Sequence, residues 1–291
     1  MLNTLNEMLQ FFYNQDEFIA AIQYTAGRSG FTSTLIEKDY LCSLLLMYLY
    51  NTNTPLIFKG GTLLAKSHAN FYRLSEDLDF AISTLSNITR KQRSQQIQSV
   101  KNELNNIHNF LPVFNISRPL TGCNGSRQYT MTLTYKSKIT QLDDKILIDI
   151  GMKEGLLFPS EKIKAKTLLM DPFLGQDKVQ PFMIIGLNLQ EAYAEKIRAA
   201  LCRKELAIRD FYDLDYAIEN NLIELNDAFL VLIKQKIRYE KFFHDFNRPE
   251  VVKFLQEKVQ AELEPTLKQT RDIAFSLSRI VEKLLQLLRN I

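Results

Sequence analysis

Phe58-Lys59-Gly60-Gly61-Thr62 and, a short distance on, Ser75-Glu76-Asp77-Leu78-Asp79-Phe80 are the stretches on which the reading of this 291-residue chain turns. Pro55 to Lys59 is a short apolar run stopped by two glycines, the pattern of a strand entering a tight turn, and Thr62 to Ala69 has the spacing of the helix that follows. Leu78 to Ile82 alternates as a second strand would. On an extended segment, side chains two apart leave the same face, so Asp77 and Asp79 are expected to project together while Leu78 and Phe80 enter the core. Two carboxylates ~5 Å apart repel by ~3 kcal/mol at an effective dielectric of ~20, a cost that a cation between them removes. Hard oxygen ligands of this kind suit Mg²⁺, which takes a few carboxylates plus substrate phosphates and water.

Working outward, Asp149 interrupts the apolar run Lys145-Ile-Leu-Ile-Asp-Ile150. An unpaired carboxylate on a buried strand is costly, so it reads either as a third metal ligand or as a strand-end cap for a neighbouring loop. With Asp77 and Asp79 it could hold the pair of ions that in-line phosphoryl chemistry uses. Gly60 and Gly61 let backbone N–H groups approach phosphate oxygens, and the helix start at Thr62 favours negative charge, although the same letters also make a plain tight turn.

The rest of the chain divides in two. Helical spacing at 18–26 and 35–50 opens it. A polar helix follows at 89–110, headed by Thr89 and Gln92 in capping-box positions, with strands at 113–117, 128–135, 146–150 and 182–185. After Gly186 the strand signals stop. Asn188 and Glu191 again have capping-box spacing, and helices are expected to about Lys204 and over 211–219, 225–243, 249–263 and 273–288. The expected architecture is therefore α/β of the α+β kind: a mixed sheet with flanking helices over residues 1–187, then an all-helical lobe over 188–291. In that lobe Lys196 flanks the apolar stripe Tyr193, Ile197 and Leu201, which leaves two readings, a contact to triphosphate charge or a solvated helix face. Asp210 reads equally as a helix N-cap or as a catalytic group. Asp213-Leu-Asp215 repeats the D-x-D letters in a helical pattern, where positions two apart do not face each other.

Composition narrows the class. Hydrophobic residues make up 46% of the chain, charged residues 24%, and the formal net charge is +3. That balance permits a polyanionic partner without the strongly basic signature of a dedicated nucleic-acid binder. Lys234, Lys236, Arg238 and Lys241 lean toward RNA, though a charge run is more often a solvated face. Residues 1–13 do not read as a secretory signal, and Leu41 to Tyr50 is shorter than the ~20 residues that span a bilayer, so a cytoplasmic location is expected. Cys42, Cys123 and Cys202 lack C-x-x-C spacing, and His68, His108 and His244 lack metal-ligand spacing; all six are read as structural.

Lys59-Gly-Gly-Thr62, Ser75-Glu-Asp-Leu-Asp79, Ile148-Asp-Ile150, Ala194-Glu-Lys-Ile-Arg198 and Arg209-Asp-Phe-Tyr-Asp213-Leu occur in order, with Ile36-Glu-Lys-Asp-Tyr40 upstream. Taken together they resemble the AbiEii toxin family, which includes the MenT toxins of mycobacteria, and the likeness runs from about residue 35 to 217. It implies a nucleotidyltransferase fold related to DNA polymerase beta, followed by a helical half. It implies a toxin of a two-gene toxin–antitoxin or phage-defence system, with a cognate antitoxin encoded nearby. It further implies transfer of a nucleoside monophosphate from an NTP to the 3′ end of tRNA, which blocks translation. Residue by residue, Asp77 and Asp79 would ligate metal, with Asp149 less securely placed. Gly60, Gly61 and Thr62 would hold triphosphate, Lys196 would contact phosphate, and Asp210 would be essential. A small-molecule or protein hydroxyl as acceptor, and a non-catalytic module on the same scaffold, are the alternatives.

Overall fold

A computed structural model describes the chain apart from Met1, Asn53, Ser86, Asn87, Lys153, Glu154, residues 270–274 and Ile291. It divides into two compact units, Met1–Leu187 and Asn188–Ile291.

The first unit opens with α1 (Leu2–Tyr13), α2 (Gln15–Ser29) and α3 (Ser33–Asn51). Helix α1 was not expected, although Leu5, Met8, Leu9 and Phe12 form an i, i+3, i+4, i+7 stripe and all four are buried. Helix α3 starts at Thr32, whose hydroxyl accepts from the Leu35 N–H, and is buried on every side from Leu35 to Leu49. Its apolar residues from Leu41 onward place it in the core, and the buried Glu37, Lys38 and Asp39 of its first half are each held by polar partners. No helix among the described residues is long and apolar enough to cross a membrane.

The sheet follows: β1 (Ile57–Lys59), α4 (Gly60–Leu63) running into a π turn at Leu64–His68, then β2 (Leu78–Ala81). Next come three short helices, α5 (Arg90–Gln96), α6 (Gln98–Asn105) and α7 (Ile107–Phe110), and five strands, β3 (Asn115–Cys123), β4 (Gln128–Lys136), β5 (Asp143–Gly151), β6 (Glu161–Ala165) and β7 (Phe182–Gly186). The seven strands lie in the order β3-β4-β5-β2-β1-β7-β6. Pairs β2–β5 and β1–β7 are parallel and the remaining pairs antiparallel, so the sheet is mixed, as expected. The capping box of Thr89 and Gln92 is present, but the helix it heads breaks at Ile97 and Asn106. Ile97, Val100, Leu104, Ile107 and Leu111 stay buried across both breaks, so the stripe survives where the hydrogen-bond ladder does not. Strand β3 begins two residues later than expected and runs to Cys123. Pro119 and two register shifts suit its place at the sheet edge.

The second unit is helical throughout its described elements: α8 (Leu189–Cys202), α9 (Ile208–Glu219), α10 (Asp227–Ile237), α11 (Pro249–Lys258) and α12 (Leu277–Arg289). Asn188 caps α8 by accepting from Gln190 and Glu191 N–H groups. Helix α10 ends at Ile237, six residues before the expected Phe243, and the chain continues without helix to Arg248. The expected α12 start at Ile273 lies outside the described residues.

Candidate active site

Strand register builds the site. Lys59 on β1 pairs with Asp79 on β2, Asp79 with Asp149 on β5, and Asp149 with Thr130 on β4. Residues directly opposite one another share a face, so these four stand in one row across four neighbouring strands. The neighbouring row, Phe58, Phe80, Ile150 and Tyr129, is buried and anchors the opposite face in the core. β2 starts at Leu78, where the sequence places the second strand, and Asp77 lies one residue ahead of it. The alternation holds nonetheless: Asp77 and Asp79 are half-buried while Leu78 and Phe80 are fully buried.

The glycine corner closes onto this row. Gly60 has φ +79°, and a Cβ there would fall 2.2 Å from Asp79 Oδ2. A Cβ on Gly61 would fall 2.4 Å from Arg73 Nη2 and 3.3 Å from Ser75 Oγ. Gly60 is thus required by its positive φ and the close approach of Asp79, while Gly61 leaves room for the buried Arg73 guanidinium, roles that spacing alone did not disclose. Thr62 is buried and its hydroxyl donates to the Asp77 carbonyl at 2.5 Å. The hydroxyl expected to face phosphate is therefore turned toward the backbone of a candidate metal ligand. Behind Asp77, Cys42 Sγ donates to the Glu76 carbonyl at 3.8 Å. Burial pushes that thiol up to about 12, so it is a neutral donor.

Lys38 extends the support. Its ammonium bonds Glu76 at 2.8 Å and Asp144 at 3.2 Å, while Tyr135 donates to the other Asp144 oxygen at 2.9 Å. Burial raises the Asp144 pKa, but the Lys145 N–H, the Tyr135 hydroxyl and Lys38 outweigh it and hold the carboxyl below its ordinary range. Its neighbours in Ile36-Glu-Lys-Asp-Tyr40 are equally committed. Glu37 accepts from Ser137 and the Lys138 N–H, and Asp39 accepts from the buried Lys66 and the Leu168 N–H. Asp149 Oδ2 accepts from Gln128 Nε2, a partner that sequence reasoning missed because it lies 21 residues away on the neighbouring strand. Among the described residues no three His, Cys, Asp or Glu side chains gather into a metal cage.

In the helical unit Lys196 lies against α9, with its ammonium 2.7 Å from Asp210 Oδ1 and 2.8 Å from Asp213 Oδ2. Its side chain is 11% exposed and those of the two acids 4% and 0%, which rules out the solvated-face reading. Arg203 reaches Asp210 Oδ2 at 3.2 Å. Nor is Asp210 an N-cap: Ala207 occupies that position, and Asp210 sits in the first turn of α9. As the helical spacing requires, Asp213 and Asp215 turn apart, Asp215 holding Arg279 through two bonds of 2.8 and 2.6 Å. Lys236, grouped above with the residues leaning toward RNA, is instead buried between Glu191 at 2.6 Å and Glu195 at 2.8 Å. Burial lowers its pKa, but the two carboxylates outweigh this and hold it above the ordinary lysine value.

The first unit is thus of the α/β class, a mixed sheet with flanking helices that carries two aspartates on one face beside a glycine corner, and the second unit is helical. A profile described as "Nucleotidyl transferase AbiEii toxin, Type IV TA system" matches residues 46–286, and the chain belongs to that family. No curated protein matches it. In fold it is similar to the crystal structure of JHP933 from Helicobacter pylori, with TM-score 0.52 and 14% identity over 89% of this chain and 95% of that one. A second H. pylori structure, named as a candidate nucleotidyltransferase, is 13% identical over 96% of each chain; its TM-score of 0.46 is too low to support a shared fold.

Proposed function

We propose that the chain transfers a nucleoside monophosphate from an NTP to the 3′ end of tRNA, with Mg²⁺ as the resident cofactor. The observation that carries this reading is the row Asp79–Asp149 beside Asp77 and against Gly60, in a chain of a nucleotidyltransferase toxin family. Mg²⁺ fits the donors present. Asp77 and Asp79 are half-buried hard-oxygen ligands with no intervening bulk at Gly60, and the ion completes its shell with phosphate and water. Asp149, oriented by Gln128, stands opposite Asp79 on the same sheet face. When bound, the metal supplies charge stabilisation at the reacting phosphoryl group. Asp77 and Asp79 would hold it, and the Thr62 hydroxyl and Lys38–Glu76 pair fix the backbone from which they project.

In this reading residues 1–187 form the nucleotidyltransferase domain and 188–291 a helical domain in which Lys196 and Asp210 are the functional pair. The Gly60 and Gly61 backbone cradles triphosphate. Lys196 has to exchange an Asp210 or Asp213 contact for phosphate if it is to touch the donor. A toxin–antitoxin family makes a cognate antitoxin the expected partner, and the cytoplasm, where NTPs and tRNA meet, the place of action in phage defence. Incubating the protein with each labelled NTP, Mg²⁺ and either total RNA or total protein tests the acceptor. Label in tRNA supports the reading. Label confined to protein or to small molecules overturns the acceptor, and equal labelling by Asp79→Asn overturns the site.

A further inference from the structure

Arg238-Tyr-Glu-Lys-Phe-Phe243 leaves α10 as an exposed, non-helical strip. Tyr239 is 76% exposed, Phe242 48% and Phe243 39%. Single apolar residues on a surface need no explanation, but three large rings within five residues do. The strip is also held in place. Beyond it, the His244 N–H donates to the Leu201 carbonyl at 3.0 Å, and the His244 ring lies 2.6 Å from the Arg203 carbonyl. Phe246 is buried against Phe211. The rings are therefore presented on a fixed segment, which lowers the ordering cost of any partner.

Charge decides what kind of partner. Glu240, the acid of the strip, is consumed by Arg198 at 2.7 Å. Arg238 and Lys241 remain as cations interleaved with the rings, and the Arg238 guanidinium lies over Tyr239. At His244, just past the strip, opens a cavity of about 480 Å³ walled by Phe254 and His244 and lined also by Lys204 and Lys258; Lys258 pairs with Glu262 and lies over the Phe254 ring. That volume falls in the range of small-molecule pockets and would admit a nucleobase. Rings and arginine are common to protein and nucleic-acid interfaces, whereas lysine, here Lys241 among the rings, is depleted from the cores of protein–protein interfaces. Aromatic faces alternating with cations are what unpaired bases and their phosphates require.

We infer that residues 238–243, with the Phe254 cavity, form a stacking surface for single-stranded RNA, engaging unpaired bases of the acceptor. The inference rests on the proposed RNA acceptor and adds the element that grips it. The test is binding of fluorescently labelled tRNA to the full chain, by anisotropy across a salt series, for wild type, Tyr239→Ala/Phe242→Ala, Phe254→Ala, the aromatic swap Phe242→Tyr, and Phe110→Ala as an exposed aromatic elsewhere. Loss of a stacked ring is expected to weaken binding roughly 5- to 150-fold, with a matching rise in KM for tRNA. Phe242→Tyr and Phe110→Ala should bind as wild type does, with thermal midpoints confirming that every variant is folded. Wild-type affinity in both alanine variants would overturn the surface while leaving RNA as acceptor. A wild-type protein that binds no RNA but labels protein would overturn the acceptor reading, and with it this one.

Discussion

Gly60→Ala isolates the contact between the glycine corner and the carboxylate row. At φ +79° an L-residue costs ~1–2 kcal/mol. The new Cβ would lie 2.2 Å from Asp79 Oδ2 and 2.9 Å from Asp79 Cβ. Relief to ordinary contact moves the carboxylate by roughly 1 Å, and overpacking of this kind costs ~1–3 kcal/mol. The sum is a stability loss of about 2–5 kcal/mol, read as a lower urea midpoint. A displacement of roughly 1 Å at a reacting centre can cost ~10²-fold in rate, so nucleotide transfer should fall by about that factor in the fraction that remains folded. Gly27→Ala, in α2 with nothing within 4 Å and no positive φ, is the control and should be neutral or stabilising by ~0.5–1 kcal/mol. A Gly60→Ala protein with wild-type midpoint and wild-type transfer would show that Asp79 does not depend on this corner.

Other outcomes separate support from chemistry. Thr62→Val removes the donor to the Asp77 carbonyl and should cost ~1–3 kcal/mol in denaturation, with Thr62→Ser restoring it; a change in NTP KM at unaltered stability would instead mark Thr62 as a phosphate ligand. Lys196→Met leaves Asp210 and Asp213 buried without their shared cation and should destabilise by ~3–5 kcal/mol, so its activity has meaning only beside a melting curve. Lys236→Met should destabilise to a similar degree, because Glu191 and Glu195 lose their common partner; a folded variant defective only in RNA binding would contradict this. The depressed Asp144 carboxyl contributes stability that is present above its unfolded value near ~4 and is lost as pH falls through the lower folded value. Asp144→Asn should therefore be less stable than wild type at pH 7, by no more than ~1 kcal/mol given its exposure, with the gap closing in acid on a pH series of urea midpoints.

What the sequence disclosed follows from how local each signal is. Strand–glycine–helix at 57–63 and alternation at 78–81 depend on neighbours along the chain, and both were legible to within a residue or two. The 11 residues of α10 were read as longer because Tyr239, Phe242 and Phe243 continue an apolar pattern that the fold leaves exposed. Strand β6 escaped notice because an edge strand buries little, and only Ile163 and Ala165 mark its inner face. At the site, the carboxylates and glycines carried recognisable spacing, whereas their partners did not. Gln128 beside Asp149, Lys38 beneath Glu76 and Arg73 against Gly61 are set by strand order and packing, which no short window contains. Lys196 and Asp210 were visible as letters, but their mutual ion pair needed the α8–α9 geometry.

The most direct measurement is a side-by-side incubation of wild type and Asp79→Asn with labelled NTPs, Mg²⁺ and total RNA, after confirming that both proteins melt at the same temperature. Wild type should label the tRNA band and lose that activity in EDTA, while the Asn variant leaves the band unlabelled. Equal labelling by the two proteins would mean that the aspartate row is not where the phosphoryl chemistry happens.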